Sequence, residues 1–156
     1  MNNINIHKIF IIFLIATSFT SFFAGFYLDE NSAGSGTYDG DFTHAWQNMQ
    51  VYLNNDFFLS LDHQDYYSGR TPLAYILHEI FNPFLSTEIE YRRSVFGVSL
   101  MLPILFYFCL RKKFINEDKI LLLLIASTVC LSPYFRTSAY WGLEENYGLI
   151  FLLLSF

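Results

Sequence analysis

Four runs of apolar residues divide the chain, at about 9–28, 94–110, 120–135 and 147–156, and nearly all of the charge lies between them. A helix needs about 20 mostly apolar residues to cross the hydrocarbon core of a bilayer. The pattern therefore predicts an all-α, polytopic transmembrane protein. Only His7 and Lys8 offer charge ahead of the first run. Its length, with no A-x-A pattern after it, marks an uncleaved helix rather than a signal peptide. The second run contains Gly97 and Pro103, which membrane helices tolerate. The third reaches Ser132-Pro133 or continues to Phe135. The fourth falls short of a full span, so the chain is expected to be the N-terminal portion of a longer protein.

The first polar stretch, 29–93, has a pattern of its own. Phe42, Ala45, Trp46, Met49 and Leu53 recur at helical spacing and predict an amphipathic helix from Asp41 to Asn54. Trp46 and Tyr52 are side chains of the kind that settle at a membrane interface. Thr71-Pro72 suits a helix start, and Leu73, Ile76, Leu77, Ile80 and Phe81 then trace an apolar stripe that Asn82-Pro83 ends. Two interfacial amphipathic helices are thus expected in this loop, joined by a polar turn at 62–69. Gly34, Gly36 and Gly40 loosen the entry segment.

Composition agrees with the pattern. Hydrophobic residues make up 53% of the chain and charged residues 15%, whereas soluble domains carry about 25% charged residues. Cys109 and Cys130 both lie in apolar runs and suggest neither a metal site nor a disulfide framework. Charge also sets the orientation. Arg111-Lys112-Lys113 is the densest basic cluster, and short cytoplasmic loops collect Lys and Arg. The loop 111–119 and the N-terminus are therefore expected inside, with 29–93 and 136–146 outside. Between Asp29 and Arg93 the chain holds ten Asp or Glu against three Arg, which suits an exported loop.

Candidate chemistry lies in those outer loops. In Tyr38-Asp39-Gly40-Asp41-Phe42-Thr43-His44, two carboxylates flank a glycine where a helix begins. Asp41, His44 and Asn48 then share one polar face at i, i+3 and i+7. A carboxylate held there in a partly dry pocket would suit a general base; Asp39 and Asp41 would equally serve as turn and capping residues. Asp29-Glu30 is a second acidic pair, able to act as base, as metal ligand or as the polar end of a helix. Arg70 and Arg136 are the outer cations, and an arginine fork suits a phosphate leaving group. Glu144-Glu145-Asn146 adds polar groups on the same side. His63 and His78 are expected to be surface or packing residues. No Walker loop, dinucleotide fingerprint, zinc motif or serine nucleophile motif is present in the sequence.

Asp39-Gly40-Asp41, Asn48-Met49, Asn55-Asp56 and Arg70-Thr71-Pro72-Leu73 occur in an order and at a spacing that resembles the GT-C superfamily of membrane glycosyltransferases. The likeness is to the bacterial protein O-mannosyltransferase and aminoarabinose-transferase type, and covers roughly residues 9–110. One departure is that no literal Asp-Glu stands at the helix start, while Asp29-Glu30 stands earlier. The resemblance implies an inverting glycosyltransferase of a bacterial inner membrane. Its donor would be a polyprenyl-phosphate-linked sugar, and its acceptor a glycan, lipid or protein. The base would be Asp41, then Asp39, then Asp29 in order of preference. His44, Arg70, Glu30 and Arg136 would contact substrate, membrane lipid would be a partner and nucleic acid would not. A divalent ion is compatible with this chemistry, with no ligand assigned. The alternatives are a transporter or assembly subunit, or a lipid-linked-saccharide polymerase or ligase. Transport is disfavoured because no ionisable residue lies near the centre of an apolar run.

Overall fold

A computed structural model describes residues 6–34, 36–37, 39–67, 69–82 and 85–156. Tyr38 and Pro83, invoked above for a helix entry and a helix end, lie outside the described residues. Among the described residues the secondary structure is entirely helical, with no strand. The helices are α1 (Ile6–Tyr27), α2 (Asp41–Asn54), α3 (Phe57–Leu61), α4 (Leu73–Phe81), α5 (Glu88–Ser99), α6 (Met101–Lys113), α7 (Lys119–Ser127), α8 (Pro133–Tyr140) and α9 (Glu145–Leu154).

Among the described residues two helical spans are long and apolar enough to cross a membrane. The 22 residues of α1 extend about 33 Å at 1.5 Å per residue, against a hydrocarbon core of about 30 Å. α5 and α6 run on through Leu100 as one span, Glu88–Lys113. Pro103 explains the hesitation between them, because it lacks the N–H that would bond the Ser99 carbonyl and its ring crowds that oxygen. This span begins six residues before the expected 94. Thr87 accepts from the Glu90 backbone N–H while Glu90 reaches back to the Thr87 backbone, a complete capping box. A third span forms only if a bent pair is counted as one. Lys119–Leu131, which ends in a 3-10 turn, meets α8 at 64°. The cause is Ser132-Pro133: Pro133 opens the new helix and the Ser132 hydroxyl caps it through the Phe135 N–H.

The bend corrects the expected loop at 136–146. These residues are not an open connection: Arg136, Thr137, Ser138, Ala139, Tyr140, Trp141 and Leu143 are all buried. Packing around them is aromatic. Phe22 of α1 stacks on Phe96 at 5.0 Å and on Phe135 at 5.1 Å, and Phe26 stacks on Phe96 at 4.5 Å. Such pairs add about 0.5–1.5 kcal/mol each beyond burial.

α2 forms over the expected residues and buries Phe42, Ala45 and Met49. Tyr52, expected at an interface, is instead fully buried and stacks on Tyr75 of α4 at 5.9 Å. α4 also departs from expectation. Its protein-facing side is Ala74, Tyr75 and His78, while Leu73, Ile80 and Phe81 of the stripe face outward. Phe58 and Leu59 of α3 are likewise exposed, as are Ile9, Phe10, Ile12 and Phe13 along α1. Exposed apolar surface of this extent marks contact with something other than water. It is consistent with an integral membrane protein.

Candidate functional site

The end of α1 places the first acidic pair. Glu30 donates its N–H to the Gly25 carbonyl at 3.0 Å, and Asp29 donates to Phe26 at 3.4 Å with φ at +50°. Asp29 thus fills the left-handed position of a Schellman motif, where glycine is usual and aspartate is tolerated. From that turn the two carboxylates diverge. Asp29 accepts from Arg92 at 2.6 Å, and Arg92 also donates Nε to the Tyr140 carbonyl and lies over the Trp141 ring at 4.3 Å. Glu30 accepts from Arg136, which bonds it through Nε at 2.8 Å and through a second nitrogen. Arg136 spends its other donors on Ser21 Oγ, the Ser21 carbonyl and the Cys130 carbonyl.

Asp29 with Arg92 and Glu30 with Arg136 therefore form a clasp tying α1 to α5 and α8, with the Asp29 side chain still exposed. Burial pushes the Glu30 carboxyl upward, but the hydrogen bonds from Arg136 and Ser32 and the guanidinium charge outweigh it and hold it below its ordinary value. Gly25 sits beneath this clasp. A Cβ there would lie 2.6 Å from both an Arg136 nitrogen and a Glu30 oxygen and 2.7 Å from the Tyr140 hydroxyl. Gly25→Val is expected to cost about 1–3 kcal/mol by overpacking, read as a lower thermal midpoint of the detergent-solubilised protein; an unchanged midpoint would show that the clasp yields freely.

The second acidic group is arranged differently. Asp41 opens α2 and accepts from Arg70 at 2.7 Å, and Arg70 reaches Glu144 with its other terminal nitrogen at 2.9 Å. The Arg70 side chain is 9% exposed, Glu144 13% and Asp41 42%, so the cation is sunk and Asp41 is the rim. Burial works against the Arg70 charge, but Glu144 and Asp41 outweigh it and raise its pKa above the ordinary value. Burial also raises the Glu144 carboxyl, more than the Arg70 charge lowers it. Tyr75 adds a hydroxyl 3.4 Å from Glu144, its own acidity suppressed by burial and by that carboxylate. Among the described residues nothing hydrogen-bonds the buried Arg70 Nε.

The polar face of α2 explains how Arg70 gets there. Asn48 is fully buried and makes two bonds to one residue, accepting from the Tyr67 N–H at 2.7 Å and donating to the Tyr67 carbonyl at 3.1 Å. His44 stacks on the Tyr67 ring at 4.7 Å. The face read as catalytic thus holds the loop that delivers Arg70, with Asp41 at its end. Asp39 is exposed beside it. A cleft of about 160 Å³ runs past Asp41, lined also by Thr137, Ser138, Glu145 and Asn146.

Comparison with family models, with curated proteins and with solved structures finds no match. The site must be read from its own geometry.

The structure brings together Asp41 and Arg70, with His44 nearby, and separately Glu30 and Arg136, while Asp29 pairs with Arg92. Arg92 and the Tyr75–Glu144 contact were not singled out from the sequence. His78 is a packing residue as expected: it is buried, it lies 3.0 Å from Ser94 Oγ and against the Tyr147 hydroxyl, and burial lowers its pKa to about 4. Among the described residues no group of three or more His, Cys, Asp or Glu side chains is arranged to hold a metal ion.

Proposed function

We propose that the chain forms part of an integral membrane glycosyltransferase. It moves a sugar from a polyprenyl-phosphate-linked donor to a glycan, lipid or protein acceptor on the outer face of a bacterial inner membrane, with the N-terminus in the cytoplasm. The observation that carries this reading is the Asp41–Arg70 pair, which sets a carboxylate and a sunk guanidinium 2.7 Å apart, with Asp41 at the edge of a cleft. Such a transfer needs both groups. The acceptor O–H or N–H attacks the anomeric carbon, the bond from that carbon to the phosphate oxygen breaks, and the configuration inverts. Asp41 takes the acceptor's proton. The phosphate leaves with the bonding electron pair, and the charge of the Arg70 guanidinium beside Asp41 stabilises it.

The outward apolar residues of α3 and α4 support the same reading. Phe58, Leu59, Ile80 and Phe81 would rest the polar loop at headgroup depth, where a lipid-borne sugar arrives. The expected interfacial helices belong to this proposal. The test is transfer by the full-length protein in vesicles, supplied with a radiolabelled polyprenyl-phosphate sugar or with the same sugar on a nucleotide. Label is expected to leave the lipid donor and not the nucleotide. No release from the lipid donor would remove the reading.

A further inference from the structure

Asn146 is the least satisfied polar side chain at the cleft. It is 1% exposed, and its Nδ2 donates to Ser99 Oγ at 3.0 Å and to the Phe135 carbonyl at 3.2 Å. A carbonyl only accepts, so the amide cannot be turned the other way round without losing that bond. Among the described residues no donor reaches its buried Oδ1. A buried acceptor in that state costs about 1–3 kcal/mol, and it lines the same cleft as the carboxylates of Asp41 and Glu145. Ser138 does not relieve Asn146, since its hydroxyl is directed to Glu145 at 2.9 Å and to the Leu143 carbonyl at 3.2 Å.

The charge balance has the same sign. Asp41 and Glu145 bring two carboxylates to the lining, while Arg70, which holds Asp41 and Glu144, lies outside it. Beside apolar Phe135, Leu143 and Leu149, the polar part of the lining thus offers acceptors and negative charge. A neutral hydroxyl would meet only part of that demand. A primary ammonium carries three donors and one positive charge in a compact head, which matches an orphan amide oxygen on a cleft that two carboxylates also line. We infer that this cleft binds a primary ammonium group, with Asn146 Oδ1, Glu145 and Asp41 as its acceptors. That this ammonium belongs to the acceptor rests on the transferase reading above; the binding itself does not.

The test reads binding directly. Saturation-transfer NMR on the detergent-solubilised full-length chain would use ethanolamine and ethylene glycol as probes, with magnesium chloride as competitor. Ethanolamine is expected to give a saturable signal that ethylene glycol does not, and magnesium is expected not to displace it. Glu145→Gln is expected to weaken ethanolamine binding at least fivefold. Equal signals from the two probes, displacement by magnesium, or binding that ignores Glu145→Gln in a protein of unchanged thermal midpoint would each overturn the inference. Should that variant not fold, the selectivity of the unmodified chain still decides. Repetition in nanodiscs with and without phosphatidylethanolamine separates the sources. Competition by that lipid assigns the site to a headgroup, and its absence assigns it to a soluble amine. Failure of ethanolamine to bind leaves the transfer assay untouched, and failure of transfer leaves ethanolamine binding to be read on its own.

Discussion

Arg136→Leu is expected to destabilise the protein strongly. The Arg136 side chain is 9% exposed and ties α8 to α1 through Glu30, Ser21 and the Cys130 carbonyl. Removing one partner of a buried ion pair costs about 3–5 kcal/mol, because the other charge stays behind without compensation. Glu30 keeps 30% of its side-chain surface in contact with solvent, which places the effect toward the lower end of that range. A loss of about 3 kcal/mol lowers a thermal midpoint by roughly 10 °C for a chain of this size. The double variant Glu30→Leu, Arg136→Leu is expected to recover part of that loss, since it leaves no orphan charge. A double variant as unstable as the sum of its parts would show that the clasp is not acting as a pair. pH supplies a further check. The Glu30 carboxyl is held below its ordinary value, so its contribution is fully present above the unfolded carboxyl's pKa and is lost as pH falls through the lower, folded value. The gap between native protein and Arg136→Leu is expected to close over that acidic window.

Asp41→Asn is expected to abolish sugar transfer while leaving membrane insertion and the thermal midpoint nearly unchanged. Asparagine keeps an oxygen for Arg70 to bond, so the loop geometry survives, but it cannot take a proton. General-base catalysis contributes about 10²–10⁴-fold to rate, and the loss should appear in the turnover of the full-length protein rather than in donor binding. Asp39→Asn is expected to leave turnover intact, because Asp39 lies exposed beside the cluster. Asp29→Asn is expected to act through stability, since Asp29 is spent on Arg92. Unchanged transfer in both Asp41→Asn and Asp39→Asn would remove the site assignment.

Much of this architecture was legible in local sequence. α2 was readable residue for residue because its apolar positions fall on one face and Asp41 and Asn54 bound it. The start of the Glu88–Lys113 span was equally available, since Thr87 and Glu90 spell a capping box, yet hydropathy alone places it later. The bend at Ser132-Pro133 shows the opposite limit. Proline after a capping serine announces a helix start, but only tertiary packing reveals that α8 turns back at 64° and buries Arg136.

The site was legible by residue type and not by partnership. Asp41 and Arg70 stood out as a carboxylate and a cation, but a contact across 29 residues depends on Asn48 gripping the Tyr67 backbone. The same limit applied to Asp29, Glu30 and Arg136, whose outer-loop positions suggested chemistry. The Schellman turn at the end of α1 aims Asp29 at Arg92 and Glu30 at Arg136, partners that only the fold brings near. Arg92 drew no attention because it sits at the head of an apolar helix, where only the fold supplies Asp29 as its partner.

Every role assigned to Asp41 depends on its facing away from the cytoplasm, and that can be measured directly. In a protein carrying Cys109→Ala and Cys130→Ala, single cysteines are placed by Gln64→Cys in the exposed turn after α3 and by Glu117→Cys in the exposed turn before α7. Intact cells are then treated with a membrane-impermeant maleimide. Labelling at position 64, with none at 117 until the cells are permeabilised, is the expected result. Labelling at 117 and protection at 64 in intact cells would contradict it.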